Sequence, residues 1–256
     1  MKKTRLRLDA ALVARGLADS EKEAQALILA GEVRLNGLRA DKAGTPVPAD
    51  ARLELTTRQK FASRAGLKLE SALADFSLSP AQKICLDLGS STGGFTDCLL
   101  QHGAAKVFAV DVNTHQLAWH LQQDPRVIQI KHNARTLSPR EIPEPAALIT
   151  ADVSFISLCK ILPAALTCAA PNADFLLLIK PQFELPSANI PKGGIVTDAQ
   201  LHQKAIASVK TCAANLGLQI LNVLPSRLPG AQGNLEFFLH ARLSANASSW
   251  LALSST

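Results

Sequence analysis

The chain has 256 residues, 47% of them hydrophobic, and a formal net charge of +6. That composition excludes a disordered chain and leaves room for one large domain, or a medium one plus a small one. Its most apolar run, Phe175–Ile179, is far too short to cross a bilayer, and Met1–Arg5 leads into a charged stretch rather than a signal peptide. Charge is unevenly spread: residues 1–70 hold 14 Lys/Arg against 9 Asp/Glu, whereas residues 71–256 hold 13 against 12. A basic quarter beside a near-neutral remainder points to a polyanion grip attached to a second function. The five cysteines, at 85, 98, 159, 168 and 212, have no C-x-x-C spacing. They read as reduced thiols of a cytoplasmic protein, not as a disulfide frame or zinc site. None of the six histidines shows metal-ligand spacing, so no metal is expected.

Residues 1–55 read as a small α+β module. Leu6, Leu8, Leu12 and Val13 recur at helical spacing until Gly16. Ser20 with Glu23 forms a capping box for a second helix, whose face is Ala24, Leu27 and Ile28 and whose C-terminal cap is Gly31. Val33–Gly37 then reads as a strand into an Asn-Gly turn, and Val47 to Leu55 as a second strand-pair region. Arg5, Arg7, Arg15, Lys22, Arg34 and Arg39 decorate the module. The string LRLDAALVARGLADSEKEAQALILAGEVRLNG resembles the alpha-L RNA-binding motif of a ribosomal small-subunit protein, pseudouridine synthases and tyrosyl-tRNA synthetases. That resemblance implies that these basic residues press on structured RNA. Residues 56–66, polar and basic and including Arg64, read as a linker, and a helix starts near Lys68.

From residue 84 onward, strands at 84–88, 106–111, 127–130, 147–151 and 174–179 alternate with helices near 94–102, 115–123, 155–169 and 198–216. This alternation predicts a doubly wound parallel sheet. Two further strands, 218–224 and 235–241, predict a closing antiparallel hairpin, as in Rossmann-like methyltransferases. The first strand ends in Asp87-Leu88-Gly89-Ser90-Ser91-Thr92-Gly93-Gly94, a Gly-rich turn that opens a helix. It is neither Gly-x-Gly-x-x-Gly nor a phosphate loop, so the site suits a nucleoside cofactor without a pyrophosphate, with S-adenosylmethionine first. The expected cofactor residues are Asp87, Gly89, Ser90, Thr92, Gly93, Asp111 (placed for the ribose hydroxyls) and Asn133 (near the adenine edge). Phe95, Phe155 and Phe183 read as core or cleft wall rather than base-stacking platforms.

Asp152 and Lys180 follow the fourth and fifth strands, and Glu236 opens the reversed one. With Lys68 they make a Lys–Asp–Lys–Glu set that resembles the tetrad of FtsJ-like ribose 2′-O-methyltransferases. A ribose hydroxyl is a poor acid and needs a base and a cationic field as it becomes an alkoxide. The strings SRAGLKLESAL, LDLGSSTGGFTDCLLQHGA, DVSFISL, KPQFE, KGGIVTD and GNLEFFL are similar to the TlyA family of RNA (cytidine-2′-O)-methyltransferases over roughly residues 5–241. The resemblance implies Lys68, Asp152, Lys180 and Glu236 as catalytic positions, Lys180 as base, S-adenosylmethionine as cofactor and ribosomal RNA or ribosomal subunits as partner. Two departures stand out: FASRAG, where the family often has an aromatic and Gly pair, and DVNTHQLAW after the second strand. The expected domains are 1–55, a linker at 56–66, a methyltransferase domain at 67–245 and a tail at 246–256. Two other readings stay open: an RNA-binding assembly factor with an inert methyltransferase-like domain, and a membrane-active hemolysin.

Overall fold

The computed structural model describes residues 6–55, 60–230 and 233–244. Arg5, the first part of the expected linker and the tail from 246 lie outside the described residues. The chain divides into two compact units after Gln59.

The first unit runs β1 (Leu6–Arg7), α1 (Leu8–Ala14), α2 (Glu21–Leu29), β2 (Val33–Leu35), β3 (Leu38–Arg39), β4 (Pro46–Val47) and β5 (Leu53–Leu55). Leu8, Leu12, Ala24, Ile28 and Val33 close a small core of their own. Ser20 Oγ accepts the Glu23 N–H at 3.2 Å, the expected cap. The reciprocal bond is displaced by one residue, because Glu23 Oε2 accepts from Asp19 N rather than from Ser20 N. Asn36 and Gly37 both have positive φ, which gives the twist of a tight β2–β3 hairpin. Two details differ from the sequence reading. Leu6 lies in a strand paired with Val47, not in the first helix. The strands at 46–47 and 53–55 pair with β1 and β2 rather than with each other.

The second unit places α3 (Ala65–Asp75) before β6 (Ile84–Leu88), α4 (Gly94–Gln101), β7 (Lys106–Asp111), α5 (Trp119–Gln122), β8 (Val127–Lys131), β9 (Ala146–Ala151), α6 (Leu162–Thr167), β10 (Ala169–Ile179), α7 (Pro181–Glu184), α8 (Ala199–Asn215), β11 (Leu218–Pro225) and β12 (Phe237–Leu243). The sheet order is β11-β12-β10-β9-β6-β7-β8. Strand β12 is antiparallel to both its neighbours, while β6 to β10 run parallel. Apolar side chains pack against both faces, so the central strands are continuous hydrophobic runs. The order reverses between β6 and β9, and ligands of such sheets bind outside the strand C-termini at that point.

Three expectations need correction. The region 115–123 is a 3₁₀ turn at Thr114–Gln116 followed by the short α5, because Leu117 and Ala118 are extended. The region 155–169 is likewise split. Ser157 caps a separate 3₁₀ turn at Leu158–Lys160, and Pro163 supplies the N-terminus of α6. The described part of the expected linker belongs to the second unit. Phe61 lies in its core, the Ala62 N–H donates to buried Asp97 at 2.8 Å, and a Cβ on Gly94 would stand 2.3 Å from Ser63 Oγ.

Candidate active site

Because β12 is reversed, its start faces the same sheet edge as the ends of β9 and β10. Four charged groups from distant parts of the chain meet there as two ion pairs. Lys68, on the buried face of α3, donates to Glu236 Oε2 at 2.6 Å, with only 8% and 2% of the two residues exposed. Lys180 Nζ lies 2.6 Å from Asp152 Oδ1, off hydrogen-bond geometry, and donates to Ser154 Oγ at 3.0 Å. Gly230 presses on the other Glu236 oxygen: a Cβ there would stand 2.0 Å from Oε1. Burying charge is tolerable only when it is paired, and both cations here are.

Lys68, Lys180 and Glu236 line one cavity of about 520 Å³ together with Ser154, Phe155 and Gln182. A second cavity of about 370 Å³, at the switch point, shares Ser154 and Phe155 with it. Asp152, Gly89 and Ser91 line both this cavity and a small cleft of about 160 Å³, whose wall also includes Lys180. A larger groove of about 750 Å³ lies elsewhere, along α8 and α6, away from the charged groups just described. The expected catalytic residues are thus brought together.

The cofactor expectations divide. Asp111 ends β7 in the switch-point cavity. Its Oδ2 accepts Ser91 N–H and its Oδ1 accepts Asn113 N–H, both at 2.9 Å. Each oxygen keeps a lone pair for a ligand hydroxyl. Asn133 lines the same cavity, its Oδ1 held by Arg135 N–H at 3.0 Å. Ser90 and Thr92 line the small cleft. Gly89 has φ +83, and a Cβ there would stand 2.6 Å from the Asp152 carbonyl. At Gly93, φ is +94 and a Cβ would meet Leu121 at 2.2 Å. These two glycines therefore serve the packing of the turn as well as ligand approach. Asp87 does not reach the cavities: it has no exposed surface. Its oxygens accept from Thr96 at 2.7 Å and Thr150 at 3.1 Å. Burial pushes its pKa up to about 7. It sits behind the loop, which corrects its place among cofactor contacts.

Among the described residues, no Lys or Arg lines the switch-point cavity. Its two carboxylates would repel a pyrophosphate, and they suit a ribose and a sulfonium cation. The residues present therefore fit S-adenosylmethionine.

Phe155 is part of the cleft wall, as expected, and lines both cavities beside the charged groups. It is 90% exposed and has φ +64, a conformation unfavourable for a bulky side chain. Its ring centroid lies 5.1 Å from that of Phe183. Phe95 is core, as expected. Sequence reasoning missed Ser154, although DVSF places it two residues after the fourth-strand acid. The geometry of the strap 193–196 is equally silent in sequence. Asn234 Oδ1 accepts Val196 N–H and Asn234 Nδ2 donates to the Gly194 carbonyl, both at 2.9 Å.

Several expected RNA contacts in the first unit are partly committed to the module itself. Arg7 donates to both oxygens of Asp9 and, with Gln25, holds that buried carboxyl far below the usual range. Arg15 donates to the carbonyls of Pro48, Ala49 and Ala51. Arg34 donates to the Gly37 carbonyl at 2.9 Å, and the Arg39 guanidinium packs against Gly31. Lys22 is exposed, and Arg64, in the second unit, is an exposed residue at the N-cap of α3. Among the described residues no cluster of three or more His, Cys, Asp or Glu could hold a metal, and no helix is long and apolar enough to cross a membrane.

The chain is similar to known proteins in sequence and fold. The profile of the FtsJ-like methyltransferase family matches residues 61–243, and that of the S4 domain matches residues 6–53. A 16S/23S rRNA (cytidine-2′-O)-methyltransferase TlyA of Mycobacterium tuberculosis is 46% identical, over 93% of this chain and 90% of that protein. A solved hemolysin-named protein of Streptococcus thermophilus is 35% identical with a TM-score of 0.72, covering 99% of this chain and 96% of that one. An S-adenosylmethionine-dependent methyltransferase of Mesorhizobium loti shares the fold alone, at 15% identity and a TM-score of 0.52, covering 67% of this chain and 96% of that one. On this evidence of sequence, fold and site, the chain belongs to the TlyA family of FtsJ-like methyltransferases and is a methyltransferase with an S4 domain.

Proposed function

We propose that the enzyme uses S-adenosylmethionine to methylate the ribose 2′-oxygen of a cytidine in ribosomal RNA, in the cytoplasm. The observation that carries this reading is the buried Lys68–Glu236 ion pair and the half-buried Lys180–Asp152 pair, beside a switch-point cavity suited to a nucleoside. S-adenosylmethionine, when bound, supplies an electrophilic methyl group. Asp111 and Asn133 would hold its nucleoside, and Gly89, Ser90, Thr92 and Gly93 would form the turn beside it.

In this reading Lys180 Nζ is the site that takes up the 2′-hydroxyl proton as the methyl group is transferred. Asp152 and Ser154 fix the amine in place. The Lys68 ammonium stabilises the developing alkoxide, and Glu236 keeps that ammonium aimed. Phe155, exposed at the cavity mouth, offers a face on which a splayed base can stack. The first unit docks folded RNA through phosphates, which makes binding salt-sensitive.

The test mixes purified protein with separate ribosomal subunits and tritium-labelled S-adenosylmethionine, alongside Lys180→Ala. Label should enter RNA, resist alkaline cleavage at one nucleotide and vanish in the variant. RNA binding with no label on any substrate would refute the reading.

A further inference from the structure

We infer that Gln182 reads the base of the nucleotide being methylated, its carboxamide pairing with the N4 amino group and N3 of cytosine. The inference rests on the ribose-methylation reading above and adds to it the element that selects the base.

The polar inventory of the cavity beside the ion pairs leads to this residue. Lys68 is spent on Glu236, and Lys180 on Asp152 and Ser154. Both ends of the Asn234 amide are spent on the strap at Gly194 and Val196. Gln182 lines the same cavity, yet its Oε1 is closed off from solvent and has no hydrogen-bond partner among the described residues. A buried acceptor left unpaired is costly, and native structures keep few of them. A ligand that supplies a donor at that point recovers the loss.

The turn that carries Gln182 is also fixed beside the cavity. Gln182 is in α7, directly after Lys180 and Pro181. At the end of that turn, Glu184 accepts from Ser157 Oγ at 2.5 Å and from Leu158 N–H at 2.8 Å. These bonds clamp α7 to the loop that carries Phe155, and the Phe155–Phe183 contact closes the same joint. One clamped unit therefore carries the expected base, an aromatic face and a free amide. A carboxamide presents an acceptor beside a donor. Cytosine presents the complement, an N4–H donor beside the N3 acceptor. Uracil presents the reverse, O4 beside N3–H, and pairs with Gln182 only if the carboxamide turns to put its NH2 group where Oε1 now stands.

The experiment first maps the wild-type target on ribosomal RNA. It then compares rRNA fragments carrying C or U at that nucleotide, for wild type, Gln182→Met and Gln182→Glu. A two-bond contact to a base edge is worth about 5- to 150-fold in discrimination. The wild type should prefer C by a factor in that range. In Gln182→Met, kcat/KM on C should fall by a similar factor with little change on U. Gln182→Glu keeps the shape but sets a second acceptor against N3, and should lose the C preference too. Cofactor affinity and Tm should not move in either variant. A C-to-U ratio equal to wild type in both variants, or an equal loss on C and U together with altered cofactor affinity, overturns the assignment and leaves the methylation reading standing. A wild type that methylates no RNA overturns both.

Discussion

Asp87 gives this enzyme a stability that depends on pH between about 4 and 7. The carboxyl is wholly enclosed, and burial raises its pKa to about 7 despite hydrogen bonds from Thr96 and Thr150, with the Asp152 charge adding to the rise. An unfolded aspartate titrates near 3.8. Between those two values the folded chain binds the extra proton, so stability falls as pH rises and levels off above about 7. A span of about 3 pH units at about 1.4 kcal/mol each gives about 4 kcal/mol as the ceiling. Asp87→Asn keeps the shape and stays neutral throughout. It should be more stable than wild type at pH 8, and the difference should shrink toward zero or reverse near pH 4.5. Urea unfolding at pH 4.5, 6 and 8, with m-values compared, measures this. Glu184, also raised by burial, shares the sign, so the difference between the two proteins is the observable. Asp174 acts outside the window. Although burial pushes it up, hydrogen bonds from His240 and Arg242 bring it down to about 2, so its stabilisation is lost only as pH falls below about 4. Parallel pH profiles for wild type and Asp87→Asn would refute the reasoning.

Other perturbations separate charge, strain and ligand contact. Lys68→Met strands the Glu236 carboxylate inside the protein and should cost about 3–5 kcal/mol in denaturant unfolding, largely restored by adding Glu236→Leu. Phe155→Gly relieves a left-handed backbone. It should leave the protein as stable as wild type or about 1 kcal/mol more so, while kcat/KM on RNA falls at least about tenfold through lost stacking. Asp111→Ala should weaken S-adenosylmethionine binding by about tenfold or more in calorimetry, through lost hydroxyl contacts and release of the Ser91 and Asn113 amides.

The sheet was legible because its strands are buried on both faces and read as unbroken apolar runs, such as Phe175–Ile179. Strand reversal at the end of the chain brought Glu236 into view, and with it the whole set of four charged groups. Segments defined by single capping bonds were harder to read. Asn113 and Ser157 each start a separate turn, and that breaks the helices expected at 115–123 and 155–169. The segment 60–66 looked like a linker because its polarity hid one anchoring ring, Phe61, and a backbone amide bound for Asp97. Arginines 7, 15 and 34 counted as free charge in the sequence because their acceptors, two carboxylate oxygens and several carbonyls, are visible only in three dimensions. The exposure of Phe155 and its positive φ were hidden for a related reason: both belong to the fold, not to the residue.

The Lys68–Glu236 contact joins groups 168 residues apart in the chain. During synthesis, α3 emerges long before β12 exists. Until residue 236 is free to fold back, the lysine in that helix has no counter-charge to accept it into the interior. Any truncation upstream of Glu236 therefore removes a catalytic candidate and also leaves the buried Lys68 without its counter-charge. The four charged groups therefore share one sheet edge only once residue 236 has been made, and a chain cut short before it holds Lys68 without its partner.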